Sequence, residues 1–211
     1  YDFSIKFSIN EVFYYGTDGI PQENHFDFVT LAMHEIGHGL GIGGTMNVSV
    51  GNGSWGITDY PNNIEGNYPD IYDRFGVYGT TKLLDVTNPS TLSSYLTSGN
   101  VFFNGENARK ANNNNNPKLF APWVWDEGSS FAHLDKEVFK QGNINSLYTE
   151  KQAWAEVIHT PGPVGLGILK DLGWPLNRYV IFINPSYENT IITKGQNYTI
   201  KWYDNTQTTQ E

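Results

Sequence analysis

The chain has 211 residues, no cysteine, and 22 acidic against 13 basic side chains for a formal net charge of −9. That length supports one domain with a real core, or one domain and part of another, and the acidic balance without any basic run excludes a nucleic-acid partner. Lack of cysteine removes disulfides and thiolate ligands, so any zinc must be held by histidine, carboxylate or tyrosine oxygen.

No segment approaches the roughly 18 apolar residues that cross a membrane. Residues 1–10 alternate like a strand and lack the basic start and apolar block of a signal peptide, so the chain reads as a processed or trimmed piece of something longer. The alternation at Phe3, Ile5, Phe7 and Ile9 predicts a strand over residues 3–15 feeding a turn at Gly16–Gly19. Next, Asp27 or His25 opens a helix over about Phe28–Leu40, and Gly41 suits the left-handed conformation that ends helices.

That helix carries His34-Glu35-Ile36-Gly37-His38, an HExxH motif. Residues four apart on a helix differ by roughly 40° of rotation, so His34 and His38 project from one face and can place two imidazole nitrogens on one metal. Glu35 lies beside them, where a carboxylate can take a proton from an activated water without being a ligand. Two histidines on the polar face of an amphipathic helix are the plainer alternative. The apolar run Phe26, Phe28, Val29, Leu31, Ala32 and Met33 argues against it, because histidines and a carboxylate carried into a mostly buried helix are costly unless paired or metal-bound.

From Gly43 to Pro122 the sequence is rich in Gly, Asn, Tyr and Pro, with short apolar pieces at 71–75, 83–84, 92–96 and 101–103. The run Asn112–Asn116 reads as an exposed loop, and Gly43 and Gly44 as the border of a cleft. Trp123–Trp125 and Gly128–Leu134 restore apolar density, and residues 163–174 form a second helix stopped by Gly173 and Pro175. The 15% aromatic content reads as core and loop packing rather than a carbohydrate platform. Beyond Leu176, strand-like runs at 178–183, 189–193 and 196–202 resemble the opening of an immunoglobulin-like β-sandwich, which about 35 residues cannot close. The expected organisation is a catalytic domain over 1–176, with a long insertion at 43–122, and a partial β-sandwich module or linker over 177–211.

A catalytic zinc has three protein ligands and one open position, and the helix supplies two. His133 and His159 lie downstream. His133 is the better candidate, in a compact segment with Asp135 near enough to orient its imidazole; His159 sits in a loop leading to the last helix. A structural role for His133 remains the alternative. A glutamate on a second helix is another ligand plan, but Glu65 and Glu106 sit among Asn, Gly and Pro and neither lies on a convincing helix.

The segments His34–Gly41, Gly128–Asp135, Asn145–Thr149 and Pro161–Trp174 together resemble secreted bacterial metzincin-like zinc peptidases. The likeness covers roughly 1–176 and is similar to leishmanolysin in placing a long insertion before the third histidine. It implies an α+β fold, with a twisted mixed sheet, an active-site helix and a C-terminal helix, and an N-terminal subdomain with two long helices. It further implies Zn²⁺ held by His34, His38 and His133, with Glu35 as general base. The metzincin pattern HExxHxxGxxH/D matches at His34, Glu35, His38 and Gly41, but Gly44 stands where the third ligand belongs, and His133 comes 95 positions after His38. Tyr148 occupies the place of the methionine turn beneath the metal; it either packs there or brings its hydroxyl toward the zinc or the substrate oxyanion.

The function expected is a secreted zinc endopeptidase, a monomer acting on protein or peptide substrates. The alternatives are a non-catalytic metal-containing binding or adhesion module, against which the intact Glu35 speaks, and a zinc hydrolase of non-peptide substrates.

Overall fold

A computed structural model describes residues 3–8, 10–56 and 68–176 of the chain. Glu65 and the expected β-sandwich segment 177–211 lie outside the described residues.

Among the described residues of the strand expected over 3–15, only β1 (Phe13–Tyr14) forms, pairing in parallel with β2 (Phe26–Asp27). The apolar alternation serves ring packing instead of a ladder. The rings of Phe7, Phe13 and Tyr15 lie 4.8, 5.6 and 5.1 Å from that of Phe28, and aromatic pairs at such distances gain beyond their burial.

Helix α1 (Phe28–Gly39) starts directly after β2. Asp27 caps it, its carboxylate accepting from the backbone N–H of Thr30 at 2.8 Å. At the other end Gly41 takes φ +98°, Ile42 N–H donates to the Gly37 carbonyl and Gly41 N–H to that of His38. This double closure satisfies the last free carbonyls and turns the chain sharply away after the motif.

The stretch 43–122, polar by composition, builds much of the core. It folds into the hairpin β3 (Asn47–Ser49) and β4 (Asn52–Ser54), then β5 (Gly76–Tyr78), β6 (Thr81–Lys82), α2 (Pro89–Leu96), β7 (Val101–Phe103) and α3 (Glu106–Ala111). Strands β6, β5 and β7 form an antiparallel sheet in that order. Tyr72, Leu83, Leu92, Leu96, Val101 and Phe103 are completely enclosed, each contributing on the order of 1.5–3 kcal/mol by leaving water. The run Asn112–Asn116 is a turn with left-handed residues at Asn113 and Asn114, the conformation asparagine tolerates best among residues with a side chain.

Two local expectations change. Glu106 does lie on a helix, at the start of α3, where it pairs with Lys110 one turn on, an arrangement hidden by the Asn-Gly-Glu-Asn context. Trp123 and Val124 are exposed, 83% and 81%, and only Trp125 of that trio packs against the core.

Helix α4 (Gly162–Asp171) lies across α3, and the Asp171 carboxylate accepts the backbone N–H groups of Asn107 and Ala108 at 2.9 Å each. It thus caps a helix that its own Gly105 leaves without a side-chain cap. The fold is mixed α+β with three small sheets among the described residues, rather than one twisted mixed sheet. No described helix is long and apolar enough to cross a membrane.

The α3–α4 contact depends on Gly167, where an added Cβ would stand 2.6 Å from the Cα of Ala108. Backbone cannot yield as a flexible side chain can. Gly167→Ala is therefore expected to destabilise the chain by about 1–3 kcal/mol, read as a lower urea midpoint; an unchanged midpoint would contradict this packing.

Candidate metal centre

Three single β-bridges lead from the antiparallel sheet to the motif helix. Phe102 pairs with Lys118, Leu119 with Leu134, and Leu134 with Thr149. Leu134 is thereby fixed between two neighbours, and His133, next to it, is held against α1. The 3₁₀ turn Ser146–Tyr148 follows on the same path and packs under the helix.

His34, His38 and His133 meet at their Nε2 atoms, 2.9 Å between the two helical histidines and 3.2 Å from each of them to His133. Each ring's other nitrogen faces a backbone carbonyl: His34 Nδ1 to Leu147 at 2.6 Å, His38 Nδ1 to Ile42 at 2.6 Å, His133 Nδ1 to Ser129 at 2.8 Å. A carbonyl only accepts, so each Nδ1 carries its proton and each Nε2 presents a lone pair. Three lone pairs at such distances repel, and none of the three nitrogens has a hydrogen to share. A cation removes the conflict. Four-coordinate zinc with Zn–N near 2.0–2.1 Å separates its nitrogens by about 3.3–3.4 Å, only slightly more than the spacing found. The three histidines thus form a group able to hold a metal ion.

Burial acts in the same direction. Loss of water holds His34 below the ordinary imidazole range, with the neighbouring His38 adding to the effect, and pushes His133 down to about 3. Neutral imidazole is the form that binds metal.

Gly44 could not have served as the third ligand even with another side chain, since a Cβ there would stand 2.3 Å from Asp73 Oδ1 and 2.5 Å from the Phe131 ring. Gly44 instead borders a different cavity, of about 180 Å³, with Trp125 and Ser130, and neither Gly43 nor Gly44 lines the cavity that contains Glu35. His159 is remote from the three-histidine group, with its Nε2 2.7 Å from Asp27 Oδ2 at the other end of α1. Nor is Glu106 part of the group.

Asp135 does not orient His133, contrary to expectation. It pairs with Lys118 at 2.8 Å and accepts from the backbone of Glu137, while the Ser129 carbonyl takes the His133 proton. A carbonyl in the same tight loop reaches Nδ1 without the desolvation cost of a second buried charge.

Tyr148 is buried, and its ring is wedged between two helices. A Cβ on Gly37 of α1 would lie 2.1 Å from it and one on Gly165 of α4 2.6 Å, while the His34 ring stands 6.1 Å from it, centre to centre. Packing beneath the histidines is thus the arrangement found, and burial pushes the phenol up to about 12.

Glu35, His34 and His133 line one cavity of about 370 Å³, together with Phe13, Phe26 and Leu31. That volume falls in the range of small-molecule and side-chain sites. Sequence reasoning missed the carbonyls of Leu147, Ile42 and Ser129, because every residue has a carbonyl and only the fold selects these. It also missed Gln152, whose Nε2 donates to the same Leu147 carbonyl at 2.9 Å.

The fold and site define an α+β chain with an HExxH helix and a three-histidine centre completed from a distant segment. Comparison with protein-family models, curated proteins and solved structures finds no match.

His133→Ala should weaken zinc binding by more than the roughly 10–100-fold typical of losing an orienting partner, while His159→Ala should leave it nearly intact; competition with a chromogenic chelator reads both, and the reverse pattern would move the ligand to His159. Stability gives a second check. The fold holds His133 neutral, so unfolding takes up a proton once pH drops below the ordinary value of 6.5. The metal-free chain should therefore lose stability as pH falls from 6.5 towards about 3, and His133→Gln should lose less over that window; identical pH profiles would contradict the burial of a neutral imidazole.

Proposed function

We propose that this chain is a secreted zinc endopeptidase of metzincin-like type, a monomer that hydrolyses peptide bonds with Glu35 as general base. Its support is the meeting of three lone-pair nitrogens from His34, His38 and His133, two of whose rings line one cavity with Glu35. When bound there, zinc supplies Lewis-acid chemistry, lowering the pKa of a water towards about 7 and polarising the scissile carbonyl.

The chain's own residues do the rest. Glu35 follows His34 directly on α1 and lines the same cavity as His34 and His133, so its carboxylate would be within reach of a water there without joining the ligand set. It accepts the proton as the water attacks and returns it to the leaving amine. The Nδ1–H donations to Leu147, Ile42 and Ser129 keep the three rings from turning. Tyr148 fills the space under His34 and keeps water from that side. The half-buried walls Phe13, Phe26 and Leu31 give a substrate side chain an apolar surface. The departures at Gly44 and Tyr148 leave this chemistry whole, since the third ligand comes from His133 and the tyrosine ring packs where methionine would.

Glu35→Ala should keep zinc near one per chain and cut casein or gelatin hydrolysis by several orders of magnitude, because binding metal and moving the proton are separate tasks. Phenanthroline should abolish turnover and added zinc restore it. Proteolysis unchanged by the substitution, or indifferent to the chelator, would overturn the proposal.

A further inference from the structure

The cavity around Glu35 is unevenly furnished. One wall is apolar: Phe13 and Phe26 from the paired strands β1 and β2, and Leu31 from α1. Residues 149–152 line the same cavity and are rich in acceptors. Glu150 is half-buried there; one oxygen accepts the Lys136 backbone N–H at 3.0 Å. Burial raises its carboxyl above the ordinary range, the nearby Asp135 pushing the same way, while the Lys136 N–H and charge oppose. Glu11 stands at the exposed rim. Gln152 spends its amide N–H on the Leu147 carbonyl and leaves Oε1 buried without a donor.

Cations that could answer these groups are engaged elsewhere. The Lys136 ammonium lies 3.7 Å from Glu156 and also donates to the Lys151 carbonyl. Among the described residues neither Glu11 nor Glu150 belongs to an ion pair. Among the described residues Lys151 is the one lysine or arginine lining the cavity, and it is exposed.

We propose that this cavity selects peptide substrates bearing a basic side chain beside the scissile bond, arginine ahead of lysine, with the aliphatic stem on Phe13, Phe26 and Leu31 and the charged head at Glu150 and Glu11. The inference rests on the endopeptidase reading. A stem that packs on apolar surface with a head that only donates is what a cavity combining apolar side chains with carboxylates outside any described ion pair recognises. The guanidinium has five donors in a fork that fits a carboxylate in two-point contact, whereas the ammonium acts as a point charge. The net charge of −9 draws such peptides towards the chain.

Binding can be read without turnover, on the zinc-loaded 211-residue Glu35→Ala chain. Fluorescein-labelled octapeptides that differ only in one central residue, Arg, Lys, Met or Glu, are compared by anisotropy. Arg should bind tightest, roughly ten-fold over Met, the worth of one charge-assisted hydrogen bond at a half-buried carboxylate, and Glu weakest. Adding Glu150→Gln should erase most of the Arg advantage, and Lys151→Ala should enlarge it. Met binding as well as Arg, or an advantage that survives Glu150→Gln together with Glu11→Gln, overturns the proposal. If Glu150→Gln loses its near-ultraviolet circular dichroism, the peptide order and Glu11→Gln alone decide. Wild-type digestion of a peptide library separates the two readings. Cleavage dependent on Glu35 but without basic enrichment overturns this inference and leaves the endopeptidase; no Glu35-dependent cleavage of any peptide overturns the endopeptidase itself.

Discussion

Three hydrogen bonds, from the Nδ1–H groups of His34, His38 and His133 to the carbonyls of Leu147, Ile42 and Ser129, set the state of the whole centre. Each fixes a tautomer and a ring orientation, and together they force three Nε2 lone pairs into one small volume. The arrangement is unfavourable without a cation and favourable with one, so the chain must assemble it with binding strength drawn from elsewhere in the fold. The three carbonyls come from three different places: the closing turn of α1, the loop before His133, and the 3₁₀ turn that carries Tyr148. Misplacing any of these segments removes both an acceptor and the ring it holds.

Packing supplies the constraint. Tyr148 fills the space between α1 and α4, and it fits only because Gly37 and Gly165 offer no side chain. The Leu147 carbonyl beside it takes two donors, His34 and Gln152, so one buried ring and one peptide group tie the helix, the turn and the cavity wall together. The Asp27 cap, shared by Thr30 and His159, anchors the other end of α1. A helix held at both ends keeps its two histidines at fixed separation, which metal binding requires.

Much of this was legible in the chain. The HExxH spacing, Asp27 before the helix and Gly41 after it are local signals, and α1 follows from them almost residue for residue. The last helix was legible for the same reason, its stop at Gly173 being a left-handed glycine. That His133 would join the two helical histidines was reachable because a zinc centre calls for a third ligand and few candidates existed. The failures came where distant partners decide. Alternation at the start of the chain looked like a strand, but among the described residues no strand pairs with residues 3–8; the Phe7 ring packs on Phe28 and the Phe3 ring lies against Gly39. Asp135 looked well placed for His133 because it is close in sequence, yet Lys118, 17 positions earlier, claims it. The stretch 43–122 looked polar because its apolar residues come in pairs and triplets, each too short for a periodic signal, and only the sheet and α2 gather them into a core.

Three imidazoles, with no carboxylate and no thiolate, are expected to hold one metal ion, and X-ray absorption at the zinc edge of the purified chain reads that ligand set. The expected spectrum has one zinc per chain with three imidazole nitrogens at about 2.0–2.1 Å and a fourth position filled by oxygen. A first shell with two imidazoles or fewer, or a chain that takes up no zinc, would contradict it.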